Sequence, residues 1–243
     1  MIKQQKTDTL LTITVRQPFL DVSLIVALRD IAQQIQYDDT ISVVYIRSES
    51  PRFWHSVAHD ETDIVDYQLS QQFSRLCEAW VRIRQPIVMD IEGKCGHYGL
   101  AFSCLADFRF IQPHTEFYSE ALQQKEIPIG GVTRRLAQLL DYSTAMHLLV
   151  GGATLTAEQA VARGFALLSA SAQEAQAFCE RLCEQSALGL QYTKESIVRG
   201  VDMTFHQALQ HEMDLYMLLQ TSHDRLEGVE AYLQKRPPQF KGE

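Results

Sequence analysis

The sequence predicts an α/β fold, with a core of parallel strands followed by a helical tail. Three observations lead there. Short strand-like runs alternate with longer helical periodicities in the order β-α-β-loop-α-β-α. The run Pro86-Ile87-Val88-Met89-Asp90-Ile91 is apolar on both parities, as a strand buried on both faces would be. Two glycine-bearing turns, at Gly93–Gly99 and Gly130-Gly131, lead directly into helical patterns.

Taken in chain order, strands are expected over Leu10–Val15, Ile41–Arg47, Pro86–Ile91 and Phe108–Ile111. Helices are expected near residues 19–35, 66–84, 99–106, 131–149, 157–163, 171–187 and 203–220, where apolar residues recur at helical spacing. Gly151-Gly152 and Ser169-Ala170-Ser171-Ala172 are the clearest breaks, and no repeat or low-complexity linker interrupts the chain.

A chain of 243 residues with 46% hydrophobic residues can bury a full core. The net charge of -8, without a long lysine or arginine run, argues against a nucleic-acid partner. No window approaches the roughly twenty apolar residues of a membrane span, and the polar start Met1–Asp8 does not resemble a signal peptide. The five cysteines, at 77, 95, 104, 179 and 183, are scattered and lack zinc spacing. They read as free thiols in a reducing compartment, so the expected location is cytoplasmic. No G-x-S-x-G occurs, and the eight histidines show no metal-ligand spacing, so no metal is expected.

The stretch Gly93-Lys94-Cys95-Gly96-His97-Tyr98-Gly99-Leu100-Ala101-Phe102-Ser103-Cys104-Leu105-Ala106-Asp107 is the most informative in the chain. A turn between strand and helix leaves backbone N–H groups unpaired at the helix start, where they can hold a developing oxyanion. Its pattern resembles the N-G-x-x-x-G-G-G-x-E-L-x-x-x-C-D motif of the crotonase (enoyl-CoA hydratase/isomerase) superfamily. Phe117–Leu136 is similar to that family's F-G-x-P-E-x-x-x-G-x-x-P-x-x-G-G-x-x-R-L segment, without a gap. Leu155–Gly164 and Glu227–Gly242 resemble its x-[ST]-A-x-E-A-x-x-x-G-L helix and its E-G-x-x-A-F-x-x-K-R-x-P-x-F-x-G tail. The resemblance spans about residues 41–242. Before it, Arg16-Gln17-Pro18 survives, while a family segment that helps line the site is shortened into Phe19–Leu24.

The resemblance implies a crotonase-like ββα spiral over 1–185 and a C-terminal helical region over 186–243 that serves assembly into a homotrimer or hexamer. It also implies an acyl-CoA or phosphopantetheine (acyl-carrier-protein) thioester as substrate, with no further cofactor. Two main-chain donors would hold the thioester oxygen. One falls on His59, within Ser56-Val57-Ala58-His59-Asp60, or on Val57 in another register, and the other falls on Tyr98. The loop residues Ala58 and Asp60, with Tyr232 and Lys235 of the tail, are the expected carrier-binding positions; the aromatic ring would stack on adenine and the lysine would meet phosphate.

Departures from the pattern bear on the chemistry. Hydratases use two glutamates, and the matching positions here are Ala101 and Ala121. A methyl group can neither take nor give a proton, so ordinary hydration by that pair is not expected. His97 and Tyr98 stand where the family has two glycines, either filling the site or supplying a proton donor. Glu120 is a solvated or salt-bridged loop carboxylate or a relocated acid/base, and Glu126 stands under the same alternatives; Tyr118, near the lost glutamate position, is a hydrogen-bond donor or an aromatic filler. Related decarboxylases carry G-H-D where this chain has Ala58-His59-Asp60, which makes His59 either a catalytic or a merely packed histidine. Three functions follow from the resemblance. The first is a thioester decarboxylase, or another lyase or isomerase that stabilises an enolate; polyketide β-branching decarboxylases are one such group. The others are a catalytically silent member that assembles with an active relative, and a hydratase/isomerase with a relocated acid/base.

Overall fold

The computed structural model describes residues 2–55 and 67–242. In chain order the elements are β1 (Ile2–Thr7), β2 (Leu10–Val15), α1 (Val22–Tyr37), β3 (Val43–Ser48), β4 (Arg52–Phe53), α2 (Tyr67–Val81), β5 (Ile87–Ile91), β6 (Lys94–Cys95), α3 (His97–Ser103), β7 (Phe108–Ile111) and β8 (Glu116–Phe117). After a 3₁₀ turn at Leu122–Gln124 come α4 (Val132–Leu139), α5 (Tyr142–Leu149), β9 (Leu155–Thr156), α6 (Ala157–Ala162), β10 (Leu167–Leu168), α7 (Ala172–Cys183), α8 (Ala187–Gly200), α9 (Phe205–Gln220) and α10 (His223–Gln234).

Two sheets are built alternately as the chain winds. The larger runs β1-β2-β3-β5-β7-β10 and is parallel except for the β1–β2 hairpin; the smaller runs β4-β6-β8-β9. Each of β3, β5 and β7 passes directly to its neighbour in the small sheet, so successive ββα turns stack into a spiral. The fold is α/β and crotonase-like, as expected.

Side-chain parity explains the buried strands. Val44, Ile46, Ile87, Met89 and Ile91 face the main core with α1, α2 and α3. Val43, Tyr45 and Val88 face the opposite way, against Ala175 and Cys179 of α7. A sheet covered on both faces has no solvent side, and this is why β5 is apolar on both faces except at Asp90. Tyr45 donates a hydrogen bond to Asp90 at 3.0 Å in that second layer, giving the strand's one carboxylate a buried partner.

The structure corrects several element boundaries. The helix expected over 131–149 is two helices, with Asp141 capping α5 by accepting from the Thr144 amide at 2.8 Å. The polar start of the chain is a strand: β1 is an exposed edge paired to β2, and its lysines and glutamines carry no alternation of apolar residues. The helix α8 lacked a clean amphipathic signal because its buried side is narrow. It is fastened to the core by Lys194, whose Nζ lies 2.7 Å from Asp107 and donates to the Gln85 carbonyl at 2.9 Å. Among the described residues no helix is long and apolar enough to cross a membrane.

Candidate active site

The start of α3 is framed by β6, which lies between β4 and β8 in the small sheet. Gly93 makes the entry turn with φ +73°, and a Cβ there would fall 2.2 Å from the Pro51 carbonyl oxygen. Gly96 is the extended N-cap residue and offers no side chain to the helix. At the other end, Arg109 of β7 donates to the carbonyls of Ser103 and Ala106 at 3.2 and 2.6 Å, placing a buried cation at the helix C-terminus.

The first amides of α3 have partners of different kinds. The His97 N–H donates to Glu120 Oε2 at 3.0 Å, and the Gly99 N–H donates to the Trp54 carbonyl at 3.1 Å. The retained glycine is required by that crossing, since a Cβ on Gly99 would lie 2.2 Å from the Phe53 carbonyl oxygen. His97 and Tyr98 have ordinary negative φ, so side chains there meet no backbone strain.

The structure separates the roles left open for those two residues. The Tyr98 ring is buried in the core and meets Phe73 of α2 edge-on, with centroids 4.9 Å apart. The His97 ring is also buried; its Nδ1 pairs with Ser119 Oγ at 3.1 Å, while Nε2 has no partner among the described residues. Burial depresses the His97 pKa to about 4, against a smaller upward pull from Glu120, so the imidazole is neutral near pH 7.

Glu120 turns inward instead of standing as a solvated loop carboxylate. Its side chain is 19% exposed, with Oε1 3.4 Å from His55 Nδ1. Burial raises its pKa, but its contacts with His55 and the His97 amide outweigh that and hold it below the usual carboxylate value. Tyr118 Oη is in hydrogen-bond contact with His55 Nδ1, and His55 Nε2 lies 3.2 Å from the Lys94 carbonyl. Burial, with help from Glu120, pushes the Tyr118 phenol well above its usual value.

Glu120, His97 and Tyr118, separate candidates in the sequence, therefore meet in one cluster. His55 completes that cluster and was missed. It sits just after a two-residue strand too short to show periodicity, immediately before the segment matched to the family's loop. Ala101 and Ala121 are fully buried in the same region.

Other expected positions lie apart or outside the description. Ala58, His59 and Asp60 fall in 56–66, outside the described residues. Tyr232, 83% exposed, and Lys235, in the left-handed conformation, stand at the end of α10. Tyr232 lines a shallow cavity with Val229, Leu233 and Phe240. Among the described residues no group of three or more His, Cys, Asp or Glu side chains could hold a metal ion.

The profile of the enoyl-CoA hydratase/isomerase family matches residues 5–243. The chain belongs to that family. It is 25% identical to the 2,3-dehydroadipyl-CoA hydratase of Escherichia coli K12 over 252 residues, covering 100% of this chain and 98% of the relative. It is also 25% identical to a probable mitochondrial enoyl-CoA hydratase of Arabidopsis thaliana over 236 residues, 92% of this chain and 77% of that one. The fold superposes on the enoyl-CoA hydratase structure from Bacillus anthracis with a TM-score of 0.92 at 23% identity, covering 100% and 99% of the two chains. In this enoyl-CoA hydratase/isomerase family member, a carboxylate at position 120 reaches the start of α3.

Proposed function

We propose that the chain is an enzyme acting on an acyl-CoA thioester, moving a proton through the thioester enolate with Glu120 as the base. The observation that carries this reading is the Glu120 carboxylate, held ionised against the first turn of α3 by the His97 amide and His55. The acyl-CoA class comes from the family and from the hydratases it resembles.

One base suits one class of reaction best. Hydration must deliver hydroxide to one carbon and a proton to its neighbour, which calls for two groups. Isomerisation of a 3-enoyl thioester needs only one. Glu120 takes a proton from C2, and the electron pair passes toward the thioester oxygen. The same carboxylic acid then returns the proton at C4, leaving the double bond between C2 and C3. Tyr98, at the family's donor position, and the loop around His59 would supply main-chain donors to the enolate oxygen, each about 3 kcal/mol in a preorganised site. The carrier would meet Ala58, Asp60, Tyr232 and Lys235.

The test is turnover of 3-hexenoyl-CoA and crotonyl-CoA by the purified protein. Isomerisation that falls by about 10²–10⁴-fold in Glu120→Gln is expected. Unchanged isomerisation in that variant would overturn the assignment.

A second reading is favoured by the two buried alanines. Loss of CO₂ from a carboxyacyl thioester creates the enolate without any base, so it needs neither of the two glutamates whose positions Ala101 and Ala121 occupy. Release of CO₂ from carboxyacyl-CoA or carboxyacyl-carrier substrates, insensitive to Glu120→Gln, distinguishes this reading from isomerisation.

A further inference from the structure

Two side chains beside Glu120 have no part in the chemistry so far: His55 and Tyr118. His55 is buried and holds both ring nitrogens against oxygen atoms. A carbonyl can only accept, so the nitrogen facing Lys94 O, Nε2, carries a hydrogen. That leaves Nδ1 to face two groups at once, the Tyr118 hydroxyl and Glu120 Oε1. Glu120 also acts on the Tyr118 phenol and helps to raise its pKa. Two groups that can exchange a proton thus converge on a single nitrogen.

We propose that His55 is a positioning residue that accepts the proton gained by Glu120, so that Glu120, His55 and Tyr118 act as one proton-sharing unit. This rests on Glu120 being the base. In the transfer, the O–H bond of the Glu120 acid breaks and a bond from hydrogen to His55 Nδ1 forms. The electron pair stays on the carboxylate, and the Nε2–H remains on the Lys94 carbonyl. The Tyr118 hydroxyl, which donated to Nδ1, turns to donate to the regenerated carboxylate. An imidazolium and a carboxylate then lie side by side, an arrangement that attraction between opposite charges supports.

The surroundings leave the proton to this unit. His97 of α3 is held neutral by burial, and the Cys95 thiol of β6 is pushed well up by burial and stays protonated. Arg52 of β4 acts on the Tyr118 phenol from the open side. Glu120 and the half-buried Tyr118 give the unit its route to water, since the His55 side chain is only 8% exposed. A proton parked on His55 is therefore expected to exchange with solvent before it returns to C4.

Turnover of 3-hexenoyl-CoA in D₂O reads this directly. The wild-type product should carry solvent deuterium at C4, and His55→Gln should reduce that deuterium content several-fold as well as lowering kcat. Tyr118→Phe should move the label in the same direction. A second measurement needs no turnover: in protein labelled with carboxyl-¹³C glutamate, His55→Gln should raise the titration midpoint of Glu120. Unchanged deuterium content in His55→Gln overturns the relay while leaving the base in place. Isomerisation at the wild-type rate by Glu120→Gln overturns the base assignment instead. Should the wild type isomerise nothing, that assignment also falls, and a Glu120 midpoint unmoved by His55→Gln would then overturn the proton-sharing unit.

Discussion

Glu120 and His97 are joined by a 3.0 Å hydrogen bond from the amide of the helix's first residue to a carboxylate contributed by the segment after β8. The N-cap residue, Gly96, has no side chain to spend on that amide. A carboxylate from elsewhere in the fold therefore takes the place of a local serine or aspartate cap. The same bond sets Glu120 at the helix start, which favours a nearby negative charge. Local helix chemistry and the position of the candidate base are one arrangement.

The neighbouring glycine tests which part of the turn the fold cannot change. Of the three residues 97–99, only Gly99 lies where a Cβ would meet backbone, 2.2 Å from the Phe53 carbonyl oxygen, and its amide holds the Trp54 carbonyl. Neither partner is a side chain that could swing away. Gly99→Ala is expected to lower stability by about 3 kcal/mol or more, within the range for severe core disruptions. Tyr98→Phe, which keeps the ring on Phe73, should cost far less. Denaturant midpoints of the two variants check this, and equal midpoints would refute it.

His97 gives a stability signature in pH. Its folded pKa of about 4 lies below the ordinary value of 6.5, so the unfolded chain binds the proton more readily. Its contribution is complete above pH 6.5 and is lost as pH falls toward 4. That difference corresponds to about 3 kcal/mol. His97→Gln retains a polar partner for Ser119 but cannot titrate, and it is expected to flatten the stability curve in that window. Glu120, whose pKa is lowered, loses its contribution only below the usual carboxylate range, so the two are separable. Urea denaturation at several pH values measures both.

Much of this fold was legible because its strands are buried on both faces: Leu10–Val15 and Phe108–Ile111 match the observed strands residue for residue. The short strands of the second sheet were not, since Arg52–Phe53, Lys94–Cys95 and Glu116–Phe117 hold two residues each, fewer than any alternation needs. That sheet aligns the cluster. The place of Glu120 was left open for a related reason: after Phe117 the chain leaves the strand and reaches a 3₁₀ turn at Leu122–Gln124, so no strand parity decides where its side chain points. His97 and Tyr98 were legible as departures, but whether they filled the core or faced the site depended on Phe73, distant in sequence.

The docking of α8 depends on one buried cation. Burial lowers the Lys194 pKa, Asp107 opposes that, and the ammonium donates to both Asp107 and the Gln85 carbonyl. Asp107 also accepts from the Ile87 amide at 2.7 Å, so one carboxylate links α8 to the start of β5. Lys194→Met removes two bonds that involve a charged group, and a loss of about 2–3 kcal/mol is expected. Hydrogen exchange should quicken along α8 before it does in β5. Uniform protection across both would contradict the clamp.

The last prediction concerns assembly. In α9 only Leu215 is buried, while Phe205, Leu209, Met213, Tyr216 and Met217 are exposed. At spacings of three and four residues those five form one stripe along the helix. A stripe of that length is larger than the isolated apolar side chains normal on a monomer surface, and a second copy of the chain is its expected cover. The homotrimer or hexamer that the sequence resemblance implies would meet that requirement. Light scattering should give a multiple of 27.7 kDa for the wild type and a smaller mass for the Leu209→Glu, Met213→Glu double variant. A wild-type protein that runs as a monomer at micromolar concentration would overturn this, and the stripe would then need another partner.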